Sequence, residues 1–347
     1  MYIGDTNDGS GLHQMLWEVV ANCVDEYLAG RCQRVDVVLE RDGFVSVRDD
    51  GPGIPLHRVA TGKRFAESVL TDFHTTATRD GHHPHAHVGL LGVGLAVVNA
   101  LSDYLEVEVR RDGGRWTQRF TRGVPAIAFR RRGSSGRSGT LIRFRPDPGI
   151  FARIEMSYDL VKRRLAELTM LGPGLAFDLR DERRLKAALH SRAGLKDLLA
   201  VDRPWGADTA TKTIRIHALV EQTRVEAALA WIDGGRSQVS SFVNMQRTRG
   251  GSHVEGLLDG VTDALQKAAR PKRVPRRKAR AVVEAGLGAV VHVVIHGDPR
   301  FGDPTRDRLD EPAVRRVVRA VVARQLRDAF IERPATWAML ERRLADS

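Results

Sequence analysis

The segment GLHQMLWEVVANCVDEYLAG, residues 11–30, decides the fold of the first half of the chain. At about 100° per residue its apolar side chains share one face of a helix over 12–28. Glu18, Asn22 and Asp25 fall on the opposite face, within about 60° of one another. Most amphipathic helices have a solvated polar face of this kind. A carboxylate and a carboxamide one turn apart can also serve a nucleotide, with Asn22 as a ligand of hydrated Mg²⁺ and Glu18 as general base on an attacking water.

Two glycine-containing motifs follow this helix. RDDGPGIP, residues 48–55, comes directly after a predicted strand, so it is either a tight loop or a place where Asp49 accepts a hydrogen bond from an exocyclic amine such as that of adenine. Its glycines would let the backbone approach a ligand closely. GLLGVG, residues 89–94, leads into a predicted helix over 95–101, and free N–H groups at such a helix start favour phosphate.

The order of predicted elements indicates an α+β fold in two domains, 1–190 and 191–347, without alternating βαβ units. In the first domain we predict a turn at Asp42-Gly43, a long loop over 71–92 and a helix over 158–171. Further strands are predicted over 35–39, 44–47, 105–109, 116–120 and 141–144. In the second domain we predict strands over 213–219, 225–231, 238–243 and 287–295, and helices over 253–269, 311–331 and 336–344.

Charge and cysteine content narrow the class of protein. The 347 residues carry a net charge of +12, which suggests a polyanionic partner. The run from Lys267 to Arg280 holds eight basic residues and no acidic one, and is either a solvated loop or a patch that contacts phosphate. Cys23 and Cys32 form no disulfide or metal pattern, and Cys23 is predicted to be a small core residue. No apolar run approaches about 18 residues, so we expect no membrane span and a reduced, cytoplasmic setting.

The order and spacing of the three motifs resemble the ATP site of the GHKL superfamily, which includes gyrase, Hsp90, MutL and histidine kinases. The resemblance narrows to the DNA gyrase B family and its topoisomerase IV counterpart, because nearly the whole chain matches that family. The matching segments are MYIGDT (1–6), GLHQMLWEVVANCVDEYLAG (11–30), VSVRDDGPGIP (45–55), GLLGVGLAVVNALS (89–102), SGTLIRFRP (138–146), GGSH (250–253) and DPRFGDPTRDRL (298–309). The resemblance implies a GHKL (Bergerat) ATP-binding sandwich followed by a ribosomal-S5-like transducer domain.

The resemblance also implies a role for each matching residue. Glu18 is then the general base, Asn22 holds the Mg²⁺ that bridges the phosphates, and Asp49 receives the adenine amino group with Thr140 assisting through a water. Arg111 lies at the mouth of the pocket, where aminocoumarin inhibitors bind in the family. The other residues with implied roles are Gly53 and Ile54 in the base pocket, Gly89, Gly92, Val93 and Gly94 in the lid around the triphosphate, and Arg306 at the position of the lysine that contacts the γ-phosphate.

Several positions depart from the family pattern. Arg306 replaces a lysine and presents a planar fork in place of a point charge. Pro304 replaces a glutamine and removes an N–H donor. Leu91 stands where the family has a lid histidine, and Pro52 replaces an arginine that normally pairs with the position of Glu26. The lid contains four histidines, at 82, 83, 85 and 87, but no cysteine or carboxylate accompanies them in a metal-binding pattern.

The resemblance implies an ATP-binding and ATP-hydrolysing module of a type IIA topoisomerase, which couples nucleotide-driven dimer closure to DNA strand passage. Its implied partners are DNA, a gyrase A-like cleavage subunit and a second copy of the chain. The family pattern is already some two dozen residues in at Met1 and continues past Ser347, so we expect a weakened dimer and no DNA cleavage by this chain alone. The alternative is a degenerate paralogue that binds nucleotide or a gyrase subunit without turnover. A histidine kinase or chaperone is disfavoured by the transducer-like second half.

Overall fold

The structure is a computed structural model, and it describes residues 3–73, 88, 92–183, 185–201, 211–232, 236–269, 274–303 and 306–346. The chain divides into two compact units, Met1–Ser191 and Arg192–Ser347. Several residues of the sequence analysis lie outside the described residues: the four lid histidines, Gly89, Leu91, Pro304 and Thr305.

The first unit is built on an eight-stranded sheet. Its elements are α1 (Ser10–Leu28), β1 (Arg34–Leu39), β2 (Val45–Asp49), α2 (Phe65–Thr71), α3 (Gly94–Ala100), β3 (Ser102–Arg111), β4 (Gly114–Thr121), β5 (Val124–Ser134), β6 (Gly139–Pro146), α4 (Tyr158–Leu171), β7 (Ala176–Asp181) and β8 (Leu185–Leu189). The strand order is β5-β4-β3-β6-β2-β1-β7-β8, and β1 pairs with β7 in parallel while the other neighbours are antiparallel.

Alternating side chains explain how the sheet supports a site. Val35, Val37 and Leu39 of β1 are buried, as the period of two requires for a half-buried strand. The β1–β2 hairpin turns at Gly43, whose φ of 79° favours glycine. Strand β2 then ends at Asp49, beside the start of β6, and α1 buries its apolar face close by. The polar residues of α1 and the end of β2 therefore belong to one region of the unit.

The second unit contains α5 (Leu195–Val201), β9 (Ile214–Val220), β10 (Thr223–Trp231), β11 (Gln238–Val243), β12 (Gln246–Thr248), β13 (Gly250–Gly251), α6 (Ser252–Ala268), α7 (Arg276–Glu284), β14 (Leu287–Ile295), β15 (Arg308–Leu309), α8 (Pro312–Glu332) and α9 (Pro334–Asp346). Five strands form a sheet in the order β12-β11-β14-β10-β9, and β13 pairs with β15. Gly256 and Gly260 of α6 face α8 so closely that a Cβ on Gly256 would lie 2.6 Å from the carbonyl oxygen of Arg315.

The predicted α+β fold is confirmed, and most of the predicted helices and strands are present within one or two residues of their bounds. The elements that the prediction omitted are α2, β5, β7, β8, α5, β12, β13, α7 and β15. Of the two alternatives for the basic run, the solvated loop does not hold from residue 276 onward, because α7 begins there and its Val282 and Val283 are buried. Arg270, Lys272 and Arg273 lie outside the described residues, as does most of the loop predicted over 71–92.

Salt bridges occupy two arginines of that basic run. The guanidinium of Arg276 contacts Asp259 at 2.6 Å and Asp263 at 2.7 Å, both on α6, and Arg280 contacts Glu284 at 2.9 Å. Arg315 of α8 shares Asp259 at 2.8 Å. These salt bridges argue against a phosphate-contacting patch at Arg276 and Arg280, because carboxylates of the same unit already pair with both arginines.

Candidate functional site

Glu18 is a buried carboxylate on the polar face of α1. Its side chain is 7% exposed, and Gln14 Nε2 donates a hydrogen bond of 2.7 Å to its Oε1. Gly94, the first residue of α3, lies against the other oxygen so closely that a Cβ there would collide with Glu18 Oε2. The glycine motif therefore provides room for the Glu18 carboxylate, in addition to backbone freedom.

Asn22 lies one turn further along α1, with its side chain exposed. Its Nδ2 donates to the backbone carbonyl of Glu18 at 2.6 Å, which leaves the side-chain oxygen as the atom that can bind a cation. Asp25, the third polar residue of this face, accepts a hydrogen bond of 2.8 Å from the backbone N–H of Val88. The polar face of α1 thus touches the residue directly before Gly89.

Asp49 is held at the end of β2 by two backbone donors. Its Oδ1 accepts from Gly51 N–H at 2.9 Å and from Thr140 N–H at 3.2 Å. Burial nevertheless raises the pKa of Asp49 to about 6, since removal from water disfavours the ionised form more than the two donors favour it. Its Oδ2 lies 3.9 Å from Cys23 Sγ on α1. One oxygen is therefore committed to the backbone, and the other, which accepts the weak hydrogen bond of the Cys23 thiol, can accept a further one from a ligand.

A series of hydrogen bonds leads away from this carboxylate through Thr140 to Ile54, and the neighbouring Gly53 is bonded to Arg111. The Thr140 side chain is buried, and its hydroxyl accepts a hydrogen bond of 3.2 Å from Ile54 N–H. Arg111 Nη1 donates to the carbonyl of Gly53 at 2.8 Å. Gly53 has a φ of 78°, and a Cβ there would lie 2.6 Å from the carbonyl oxygen of Arg110. A glycine is therefore required at Gly53 on two independent grounds.

Two acidic residues beside the site, Glu26 and Asp50, have partners that were not predicted from the sequence. Glu26, whose family partner is replaced by Pro52, pairs instead with Arg31 Nε at 2.7 Å. Asp50, next to Asp49, accepts N–H groups from Gln33 at 2.8 Å and Arg34 at 3.0 Å. Although burial alone would raise its pKa, the donors from Arg34 and Gln33 hold the pKa of Asp50 below its usual value. The adjacent aspartates 49 and 50 therefore have opposite pKa shifts.

Gly92 and Val93 lead into α3. Gly92 has a φ of 72°, in the region that favours glycine. The backbone carbonyl of Val93 accepts the first hydrogen bond of the helix, from Val97 N–H at 3.0 Å.

Arg306 belongs to the second unit, where it lies shortly before β15. It has a φ of 59° and donates its backbone N–H to the carbonyl of Asp303 at 3.2 Å. Its guanidinium lies 5.7 Å from the ring centroid of Phe301. The Asp303 carboxylate accepts N–H groups from Asp307 and Arg308, so this aspartate organises the segment that carries Arg306.

The structure therefore brings the predicted residues of the first unit into two groups. Glu18, Asn22 and Gly94 form one group, while the other consists of Asp49, Gly53, Ile54, Arg111 and Thr140. Cys23 joins them, because it follows Asn22 on α1 and its thiol faces Asp49. Cys23 is buried and reduced, so its prediction as a core residue is confirmed, while its contact with Asp49 was not predicted.

Two features of the described ranges bear on cofactors and membranes. Within these ranges no three His, Cys, Asp or Glu side chains cluster as a metal site would require. A cation held by Asn22 would therefore take most of its ligands from water and phosphate. The same part of the chain has no helix that is both long and apolar enough to cross a membrane.

Two family models match the chain in succession. Residues 7–149 match the model described as histidine kinase-, DNA gyrase B-, and HSP90-like ATPase, and residues 194–346 match the model described as DNA gyrase B. The B subunit of DNA gyrase from Treponema pallidum is 36% identical over 361 residues, which cover 100% of this chain and 56% of that protein. The B subunit of DNA topoisomerase 4 from Streptococcus pneumoniae is 34% identical, over 94% of this chain and 52% of that protein.

Solved structures agree with these sequence matches. The 43K ATPase domain of Thermus thermophilus gyrase B, in complex with an aminocoumarin, matches with a TM-score of 0.84 and 27% identity, over 100% of this chain and 91% of that one. The topoisomerase IV ATP-binding domain of Francisella tularensis matches with a TM-score of 0.83 and 25% identity, over 100% and 93%. The chain spans about half the length of the curated relatives it matches.

Proposed function

The chain belongs to the DNA gyrase B family, with a GHKL ATPase region followed by a transducer-like region, and from this premise we propose that it binds ATP with Mg²⁺ and hydrolyses it. The observation that carries the proposal is the Asp49 carboxylate, which keeps one oxygen on two backbone donors and presents the other. Relatives named as B subunits of gyrase and of topoisomerase 4 support a role in a type IIA topoisomerase. We place this role in the cytoplasm.

Recognition of the base rests on Asp49 and its neighbours. Asp49 Oδ2 accepts a hydrogen bond from the 6-amino group of adenine, and Thr140 assists through a water held by its hydroxyl. Gly53 and Ile54 line the pocket around the base, and Arg111 fixes the Gly53 carbonyl at the rim. The site is arranged before the nucleotide arrives, because backbone N–H groups hold both Asp49 and Thr140 in place.

Chemistry rests on the group formed by Glu18, Asn22 and Gly94. Glu18 takes a proton from the attacking water, and Gln14 orients the carboxylate through its 2.7 Å hydrogen bond. A Mg²⁺ ion, held through the side-chain oxygen of Asn22, would neutralise phosphate charge. Gly89, Gly92, Val93 and Gly94 give the phosphates backbone N–H donors, and Arg306 of the second unit supplies the cationic role of the family lysine.

The wider role follows from the relatives alone. We propose that nucleotide binding closes a homodimer, that hydrolysis resets it, and that the cycle drives DNA strand passage with a gyrase A-like cleavage subunit. The competing function is a paralogue that binds nucleotide without turnover. Arg306 in place of lysine and Pro304 in place of glutamine favour the competitor, whereas the buried Glu18 and the organised Asp49 favour hydrolysis.

Steady-state ATPase activity distinguishes the two functions. The parent chain is compared with Glu18→Ala, and Glu155→Ala serves as the matched control because Glu155 is an exposed glutamate of the same unit. Hydrolysis by the parent should exceed that of Glu18→Ala by about 10²–10⁴-fold, the usual contribution of a general base. If the parent binds ATP but its turnover equals that of Glu18→Ala, the chain is the non-hydrolysing paralogue.

A further inference from the structure

The segment 113–146 of the first unit contains no aspartate or glutamate, although it is rich in arginine. It covers β5 and β4, the two strands at one edge of the eight-stranded sheet, and β6, which β3 separates from them. Its arginines are Arg115, Arg119, Arg122, Arg130, Arg131, Arg132, Arg137, Arg143 and Arg145. Such a composition is unusual in a chain where acidic residues number 43 against 55 basic ones.

Three of these arginines have carboxylate partners from outside the segment. Arg122 pairs with Asp147 at 2.6 Å, Arg143 with Glu40 at 2.5 Å and Arg145 with Asp103 at 2.5 Å. The other six are exposed and have no salt bridge with any residue that the structure describes. We call these six the arginine cluster: Arg115, Arg119, Arg130, Arg131, Arg132 and Arg137.

The arginine cluster lies on and beside the edge strand β5. Arg130 of β5 is paired with Thr117 of β4, and Arg132 Nε donates to the Thr117 hydroxyl at 3.1 Å. Arg115 and Arg119 flank Thr117 at a spacing of two residues, so they share its face of β4. Gln118 and Phe120 are buried on the opposite face, so Arg115 and Arg119 point away from the core. Arg130 and Arg132 share their face of the hairpin, while Arg131, which pairs with Trp116, projects from the other face of the edge strand.

Folding does not account for this charge. The β4–β5 hairpin is held by the stacked rings of Trp116 and Phe129, 5.9 Å apart, with the Arg64 guanidinium 4.6 Å from the Trp116 ring. Charged side chains on an edge strand can prevent edge-to-edge pairing of sheets. That role does not require three consecutive arginines, or the absence of every acidic residue from both β4 and β5.

Strand β3, the neighbour of β4, carries negative charge beside the cluster. Glu106 is paired with Arg119 in the β3–β4 register, and its carboxylate also accepts the hydroxyl of Tyr104 at 2.7 Å, so it partly offsets the charge of Arg119. Glu108 pairs with Arg48 and Arg110. These carboxylates offset charge on β3 and β4, whereas Arg130, Arg131 and Arg132 lie on β5, one strand further out.

We propose that the arginine cluster is a contact surface for the phosphate backbone of duplex DNA. The guanidinium fork matches phosphate oxygens with two parallel hydrogen bonds, and arginines two residues apart on a strand lie about 7 Å apart, so neighbouring phosphates can be met together. The surface contrasts with α7, where Arg276 and Arg280 are occupied by carboxylates. The proposal does not depend on ATP turnover.

The test measures how tightly the whole chain binds a fluorescently labelled duplex, without nucleotide, as the salt concentration rises from about 50 to 200 mM. Each phosphate contact contributes about 0.9 to the slope of log K against log salt, so R130Q/R131Q/R132Q should reduce the slope by about 2–3. R130K/R131K/R132K keeps the charge and should retain most of the slope. Arg143→Gln, which alters an arginine already paired with Glu40, should leave the slope unchanged.

Two results would overturn the proposal. One is an unchanged slope of log K against log salt in R130Q/R131Q/R132Q. Because the three side chains are exposed, this variant should unfold at the same temperature as the parent, and its thermal unfolding is measured as a control. The other is binding of polyglutamate by the parent as tightly as the duplex, since that would assign the surface to an acidic protein. Neither measurement requires hydrolysis, so loss of the proposed ATPase activity would leave both results readable.

Discussion

Replacement of Asp49 by asparagine should stabilise the protein while it weakens nucleotide binding. The pKa of Asp49 is about 6, against an ordinary 3.8, so the difference is about 2 units. At about 1.4 kcal/mol per unit, the ionised carboxylate lowers the free energy of unfolding at pH 7 by about 1–3 kcal/mol. Asparagine retains an Oδ1 for the Gly51 and Thr140 donors and carries no charge, so most of this free energy should be recovered.

The stability difference between the parent and Asp49→Asn should depend on pH, and its direction follows from the raised pKa of Asp49. Below about pH 4 Asp49 is protonated in both the folded and the unfolded chain, so the carboxylate costs nothing. Between about pH 4 and 6 the unfolded chain releases its proton while the folded chain holds it, so the stability of the parent falls relative to Asp49→Asn as the pH rises. Above about pH 6 the difference is constant. Urea denaturation from about pH 4.5 to 7.5 measures it.

Asp50→Asn is the matched control. The pKa of Asp50 lies below its usual value, because donors from Arg34 and Gln33 outweigh the effect of burial. Its ionised form therefore stabilises the fold above about pH 4, and Asp50→Asn should be less stable than the parent at about pH 7.5. Nucleotide affinity should fall about 10- to 100-fold in Asp49→Asn, whose amide nitrogen would oppose the adenine amine. A stability difference between Asp49→Asn and the parent that does not change with pH would refute the reasoning.

Three further outcomes are expected. Gly94→Ala should lower kcat by about 10²-fold or more while ATP still binds, because the added methyl group displaces the Glu18 carboxylate. Gly136→Ala is the control and should be neutral in the same assay, because a Cβ at Gly136 meets nothing within 4 Å. Equal losses in the two variants would contradict this prediction. ATP affinity should fall about tenfold per unit below pH 6, as Asp49 takes up a proton on its ligand-facing oxygen, and a flat titration calorimetry profile would exclude that role. Asp259→Asn should lower the unfolding free energy by about 1–3 kcal/mol, because its three arginine partners, Arg276, Arg280 and Arg315, lose an anion. An unchanged Tm would contradict this.

The sequence indicated which elements carry the candidate site residues, but it did not indicate the environment of those residues. Helical periodicity placed Glu18 and Asn22 on one face of α1, and the Gly-rich motifs placed Asp49 and Gly94 at the ends of elements. The raised pKa of Asp49 could not be foreseen, since it depends on burial by Cys23 and on where β6 delivers Thr140. Such distances between distant segments have no signal in a single sequence.

The sequence also did not indicate which basic residues have carboxylate partners. The run from Lys267 to Arg280 was conspicuous because its charges are consecutive, yet Arg276 and Arg280 are paired with α6 or within α7. The sequence did not predict the arginine cluster, because its members are spread over two strands and a turn. Strand β5 itself lacks clear alternation, since an edge strand exposes both faces to water.

The two cysteines also have a practical consequence. Burial, reinforced by the charge of Asp49, raises the pKa of both the Cys23 and Cys32 thiols, so neither forms the thiolate that reacts with electrophiles. They are the only cysteines in the chain, and both belong to the first unit. A thiol reagent would therefore label the native protein only when this unit opens, and the labelling rate would report the opening of the nucleotide-binding half without any signal from the other half.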